Sequence, residues 1–227
     1  MIILDNIFEP EDLREELTAY VEDSAVLGQV LRHPLVYQVP YSPAMNRLSN
    51  LMFAQKSREL VAAIADENWH KFVFLHERPY RLEALEKVMN DVEEPGVFWP
   101  LAASVWIDSE NIADNFHRWR TIWANGPTRR VAKCMSRQER VALRGMPTNI
   151  TVYRGVGHRG AVEGLSWTID PERAIWFAKR FADACRTPIL AEGSIQQDKV
   201  LAYFTGRGES EIVAFPEDVK IESIKRL

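Results

Sequence analysis

At Asn149 the chain changes period, and that change limits its architecture more than any other feature. Upstream, apolar residues recur every three or four positions. Downstream, Ile150-Thr151-Val152-Tyr153-Arg154 alternates and is β-branched or aromatic. Helical periods occupy residues 11–23, through Leu13, Leu17, Tyr20 and Val21, and residues 43–90, broken near Arg78-Pro79. Pro-Gly punctuation in residues 91–100 marks a boundary, dividing the chain into a helical region 1–97 and a second domain 98–227. In the second domain, Ser109 is placed to cap a helix with the stripe Ile112, Phe116, Trp119 and Trp123, ending near Asn125-Gly126. Ser136 is placed to cap a short helix over residues 137–143. Strands are then expected over 150–154, 164–169, 188–194, 200–204, 209–215 and 219–224, with one helix over 171–181 opened by Asp170-Pro171. Helices first, then strand, strand, helix and several strands, is an α+β order rather than that of a doubly wound parallel sheet.

Charge and cysteine usage narrow the function classes. With 28 basic against 32 acidic residues the net charge is -4, so no global positive field holds nucleic acid or an anionic membrane. The first residues lack a basic segment followed by a long apolar one, and no stretch has the length of a membrane span, so a cytoplasmic protein without a membrane partner is expected. Cys134 and Cys185 are read as reduced thiols. The five histidines have no zinc-ligand spacing, so no metal is expected. The basic run Arg129, Arg130, Lys133, Arg137, Arg140 and Arg144 is read as a solvated helical face, and Trp119 and Trp123 as core. Residues 155–160 (GVGHRG) match GxGxxG after a strand, yet no helix opens at the third glycine, which excludes a dinucleotide fold of that type.

Three short motifs follow one another in the strand-rich part. Tyr153-Arg154-Gly155 ends a strand. Ser166-Trp167-Thr168 lies on the next, followed by a helix. Glu209-Ser210-Glu211 enters a late strand after the polar loop Thr205-Gly206-Arg207-Gly208. Residues two apart on a strand share a face, so Ser166 is expected to point with Thr168, and Glu209 with Glu211. Arg, Ser-x-Thr and Glu-x-Glu in this order resemble the mono-ADP-ribosyltransferases of the cholera-toxin-like group, over roughly residues 148–227. In a looser way the chain resembles phage and bacterial proteins of this type with a helical N-terminal part.

The resemblance implies a split β-sandwich ADP-ribosyltransferase-like core preceded by a helical region. It implies an enzyme that takes NAD as co-substrate, breaks the nicotinamide–ribose bond and transfers ADP-ribose to a macromolecule. Protein arginine is the expected acceptor, ahead of nucleic acid. Glu211 would face the cationic anomeric carbon and hydrogen-bond a ribose hydroxyl, while Glu209 would engage the acceptor. Arg154 would hold phosphate, with Gly155 allowing close backbone approach. Ser166 would orient Glu211, and Thr168 would support the strand or the ligand. Trp176 and Phe181 are open to two readings, stacking on nicotinamide or core packing. An NAD glycohydrolase using the same site, and a non-catalytic interaction protein on the same fold, are the rival readings.

Overall fold

The computed structural model describes residues 10–92, 94–110, 112–128, 130–157, 161–180 and 187–227. The chain is α+β and divides into two compact units, residues 1–88 and 89–227. Among the described residues no helix is long and apolar enough to cross a membrane.

The first unit corrects the expected helix over 11–23. Only α1 (Glu15–Thr18) is helical there, and Val21 opens a strand. The reason is tertiary. β1 (Val21–Ser24) pairs antiparallel with β2 (Gly28–His33), from Val21↔Leu31 to Ser24↔Gly28, around a turn whose Gly28 has φ +71°. β2 in turn pairs with β3 (Val36–Gln38). Upstream of α1 the backbone is held open by α2 (Asn46–Ala65). Asn50 Oδ1 accepts from the Arg14 amide at 3.0 Å, and its Nδ2 donates to the Asp12 carbonyl at 2.9 Å. Leu13, Leu17 and Val21 still reach one core, with Leu31, Val36 and Tyr41, so the apolar spacing is satisfied by a broken path. The helical stretch 43–90 resolves into α2, α3 (Trp69–Leu75), capped by Asn68, and α4 (Arg81–Val88), with a 3-10 turn at Arg78–Tyr80.

In the second unit the segment expected to be a boundary opens α5 (Pro95–Asp108). Pro95 takes the first helical turn, where its missing N–H is harmless, and Pro100 lies on the exposed side. Ser109 therefore ends α5 instead of capping the next helix, and its hydroxyl donates back to the Val105 carbonyl at 2.7 Å. α6 (Phe116–Asn125) starts later and stops at Gly126, where a Cβ would lie 2.5 Å from the Trp99 ring. Phe98, Trp99, Trp106, Trp119 and Trp123 are fully buried between α5 and α6. Trp106 meets Trp119 edge-on at 4.9 Å and Trp123 at 5.5 Å. After α7 (Arg130–Lys133), α8 (Arg137–Arg144) begins with Ser136 and Glu139 in a reciprocal capping box.

The remaining strands form one six-stranded sheet in the order β7-β8-β5-β4-β6-β9, and every described pairing is antiparallel. These are β4 (Asn149–Val156), β5 (Ser166–Thr168), β6 (Ile189–Gln196), β7 (Ala202–Phe204), β8 (Glu211–Val213) and β9 (Val219–Arg226). β4 pairs with β6 at eight positions, whereas β4 and β5 pair at Tyr153↔Thr168 alone. The sheet is thus two three-stranded halves joined at one ladder position. α9 (Pro171–Arg180) packs against β4. Residues 158–160 and 181–186, which hold the end of the GVGHRG run, Phe181 and Cys185, lie outside the described residues.

His33 and His76 of the first unit give it a pH response. Burial is the main cause lowering both imidazole pKa values below the ordinary 6.5. The unfolded chain therefore binds more protons, so stability is full above about pH 6.5 and falls as pH drops toward the folded values. Urea unfolding of the full chain at about pH 7.5 and about pH 5.5 should show this loss, and His76→Asn should make it shallower.

Candidate functional site

The cleft opens where the two halves of the sheet meet. One ladder runs across the join, Phe204↔Glu211↔Thr168↔Tyr153, which brings Glu211 and Thr168 side by side. Arg154, Gly155, Ser166, Thr168, Glu209 and Glu211 all line one space of about 110 Å³, with Tyr153, Trp167, Ala174 and Phe177 completing its walls. Residues 57 positions apart in the chain, Arg154 and Glu211, become neighbours because β5 inserts between β4 and β8.

Glu211 is 6% exposed, and a carboxylate removed from water must be hydrogen-bonded to remain charged. Ser166 Oγ donates to Oε1, and the Trp106 indole N–H donates to Oε2 at 3.1 Å. Both donors are fixed from behind: Ser166 by β5, Trp106 by the tryptophans of α5 and α6. The arrangement aims a buried carboxylate from these two donors, close enough to Arg154 to favour that residue's charged form.

Arg154 fills the gap where β4 and β5 part. Its NH1 donates to the Ser166 carbonyl at 2.6 Å and its Nε to the Ala161 carbonyl at 3.3 Å. The guanidinium lies over Gly164, where a Cβ would come within 2.4 Å of it. Burial pulls its pKa down to about 10, with Glu211 acting in the opposite direction, so it is charged at neutral pH. Arg154 also borders a second cavity of about 200 Å³, lined by Ile112, Phe116, Glu163 and Leu165 among others. Gly155 does allow a close approach, but to the helix: a Cβ there would lie 1.6 Å from the Ala174 carbonyl oxygen of α9.

The expectation that Glu209 and Glu211 share a strand face is corrected. β8 starts at Glu211. Glu209 closes a 3-10 turn (Gly206–Gly208) with φ -96° and ψ -16°, and Ser210 between them has φ +45°. Both line the cleft, yet through a turn instead of strand alternation. The loop carrying Glu209 is tied at three points. Thr168 Oγ1 donates to the Glu209 carbonyl at 2.7 Å, and Arg173 NH2 donates to the Gly208 carbonyl at 3.2 Å. Glu139 Oε1 accepts from the Thr205 amide at 2.9 Å while Oε2 accepts from the Ser136 amide at 2.8 Å. Burial pushes the Glu139 carboxyl up, but these bonds outweigh it and hold it below the usual range.

Trp176 is 46% exposed on the outer face of α9, so it is not core, and Phe177 is the α9 aromatic that lines the cleft. Trp119 and Trp123 are core. Sequence reasoning missed Trp106, Gly164 and Glu139. Trp106 sits in an apolar helix with no polar pattern to mark it, whereas Ser136-x-x-Glu139 was visible as a cap whose link to Thr205, 66 positions away, has no local signal. Among the described residues no three His, Cys, Asp or Glu side chains are grouped to hold a metal ion.

Two substitutions test this geometry without assuming a function. Gly155→Ala must displace α9 backbone and should cost about 3 kcal/mol, read as a lower melting temperature. Glu139→Gln should leave the fold intact but accelerate amide hydrogen exchange over residues 205–210 by about tenfold, the effect of weakening charge-assisted bonds. In comparisons with family models, with curated proteins and with solved structures, nothing matches this chain.

Proposed function

We propose that the protein is an NAD-dependent mono-ADP-ribosyltransferase with a split β-sandwich core, cleaving the nicotinamide–ribose bond and passing ADP-ribose to a protein acceptor. The observation that carries this reading is the buried Glu211 carboxylate, aimed by Ser166 and Trp106 in the same cleft as Arg154. Three motifs separated in sequence supply complementary parts of one reaction.

Breaking the glycosidic bond sends its electron pair to nicotinamide and leaves positive charge on the ribose C1′ and ring oxygen. A fixed carboxylate stabilises that charge without reorganising, and it does so best where water is excluded. Glu211 has this character: Ser166 and Trp106 hold its carboxylate in place in a part of the cleft largely closed to water. A ribose hydroxyl is a suitable partner for its oxygens. Arg154 is charged at neutral pH and stands between two cavities, the relation that a diphosphate has to the two nucleosides it joins. Apolar Ile112, Phe116 and Leu165 with the carboxylate of Glu163 suit the second of these, a base and its ribose. Glu209, on the tied loop at the mouth, is positioned to orient an acceptor guanidinium and take up the proton it loses on attack at C1′.

The test follows label from NAD into protein, nucleic acid and free ADP-ribose in the presence of a cell lysate. Wild type should label protein. Glu211→Ala should lose both transfer and hydrolysis by about 100-fold or more, the scale of removing one electrostatic stabiliser, while Glu209→Ala should lose transfer and keep hydrolysis. Label only in free ADP-ribose would make the enzyme a glycohydrolase. Transfer retained by Glu211→Ala would overturn the role given to that residue.

A further inference from the structure

The loop bearing Glu209 is held by Thr168 of the cleft wall, by Arg173 of α9 and by Glu139, which stands on α8 and is not one of the residues lining the cleft. Glu139 is thus outside the proposed chemistry. Its carboxylate nevertheless joins two segments. Oε2 accepts from the Ser136 amide at 2.8 Å, which closes the capping box of α8, while Oε1 accepts from the Thr205 amide at 2.9 Å and from the Thr205 hydroxyl at 3.3 Å. A carboxylate is needed to serve both ends. Glutamine also fits the third position of a capping box, yet it offers a single acceptor oxygen, and its amide N–H groups would then meet the N–H of the other segment. Thr205 is where the loop begins: β7 ends at Phe204, Gly206 starts the 3-10 turn, and Gly208 and Ser210 follow at φ +63° and +45°. A turn with glycine at each end has little stiffness of its own, so the position of Glu209 depends on the anchors at entry and exit. Thr168 Oγ1 fixes the exit at the Glu209 carbonyl, and Glu139 fixes the entry at Thr205.

We propose that Glu139 is a positioning residue for acceptor transfer: by fixing Thr205 it places Glu209, and so decides how much ADP-ribose reaches an acceptor guanidinium rather than water. This role rests on the transferase reading above, in which Glu209 orients the acceptor and Glu211 stabilises the cation. In the partitioned step the C1′–nicotinamide bond has broken with its electron pair on nicotinamide. C1′ then bonds either to a guanidinium nitrogen, whose proton goes to Glu209, or to water, which releases ADP-ribose and a proton to solvent. Glu211 is fixed by β8, Ser166 and Trp106, none of which shares a hydrogen bond with Glu139, so cleavage of NAD does not depend on the tie. Transfer does, because a guanidinium attacks only where a carboxylate holds it in line with C1′, whereas water needs no such guide.

The experiment follows NAD consumption and agmatine modification by the full chain, agmatine serving as a soluble guanidinium acceptor. Wild type should modify it. Glu139→Gln should lower the ratio of transfer to hydrolysis about tenfold, through kcat and the KM for agmatine, with the KM for NAD unchanged. Ser136→Ala is the control for a merely structural effect, because it removes the hydroxyl that accepts from the Glu139 amide and weakens the same helix cap, yet leaves Glu139 bonded to Thr205. It should lower the melting temperature and keep the wild-type ratio. An unchanged ratio in Glu139→Gln, an equal fall in both variants, or no agmatine modification by a wild-type protein that consumes NAD would each overturn the proposal. No consumption of NAD by wild type would instead remove the transferase reading and the proposal with it, so the two failures are distinguishable.

Discussion

A single buried carboxylate sets the terms for the second unit. Glu211 must lose most of its hydration to sit 6% exposed at the start of β8, a penalty of several kcal/mol that only close donors and nearby positive charge offset. The two donors and the positive charge come from separate layers. Ser166 requires β5 to be in register with β8. Trp106 requires α5 to stack its tryptophans against α6. Arg154 requires β4 and β5 to part after one ladder position, with Gly164 leaving room for the guanidinium. The aromatic packing of the unit and the geometry of its cleft are in this sense one arrangement.

The surroundings of the cleft follow a division of labour between fixed and tied parts. Glu211 is held by regular structure. Glu209 is held by a loop whose backbone is secured at Thr205, Gly208 and Glu209 by side chains from α8, α9 and β5. That loop has a left-handed glycine, Gly208, and a left-handed Ser210, conformations that persist only where neighbours enforce them.

How far the sequence discloses this arrangement differs from element to element. The change of period at Asn149 and the turn residues between strands made the α+β order readable, because β-branched alternation and Asp-Pro helix starts are local signals. The three motifs could be seen as candidates for one site since each sits near the end of a strand. Other features are not local. Residues 11–23 carry a helical spacing, but pairing with β2 and the grip of Asn50 redirect them into a broken path. Pro95 and Pro100 look like breakers and instead occupy the start and the outer face of α5, so the helix that carries Trp106 was hidden behind an expected boundary. The relation of Glu209 to Glu211 depends on the positive φ of Ser210, a residue with no sequence mark for that conformation.

Trp106 offers the most direct view of the site, because its indole N–H points at the carboxylate proposed to act on NAD. Titrating NAD into the isotopically labelled protein and following the tryptophan indole resonances tests the central claim at that atom. The account predicts a saturable shift of the Trp106 signal, larger than those of Trp119 and Trp123, and its loss in Arg154→Lys, which lacks the planar fork. A Trp106 resonance unmoved at saturating NAD would contradict it.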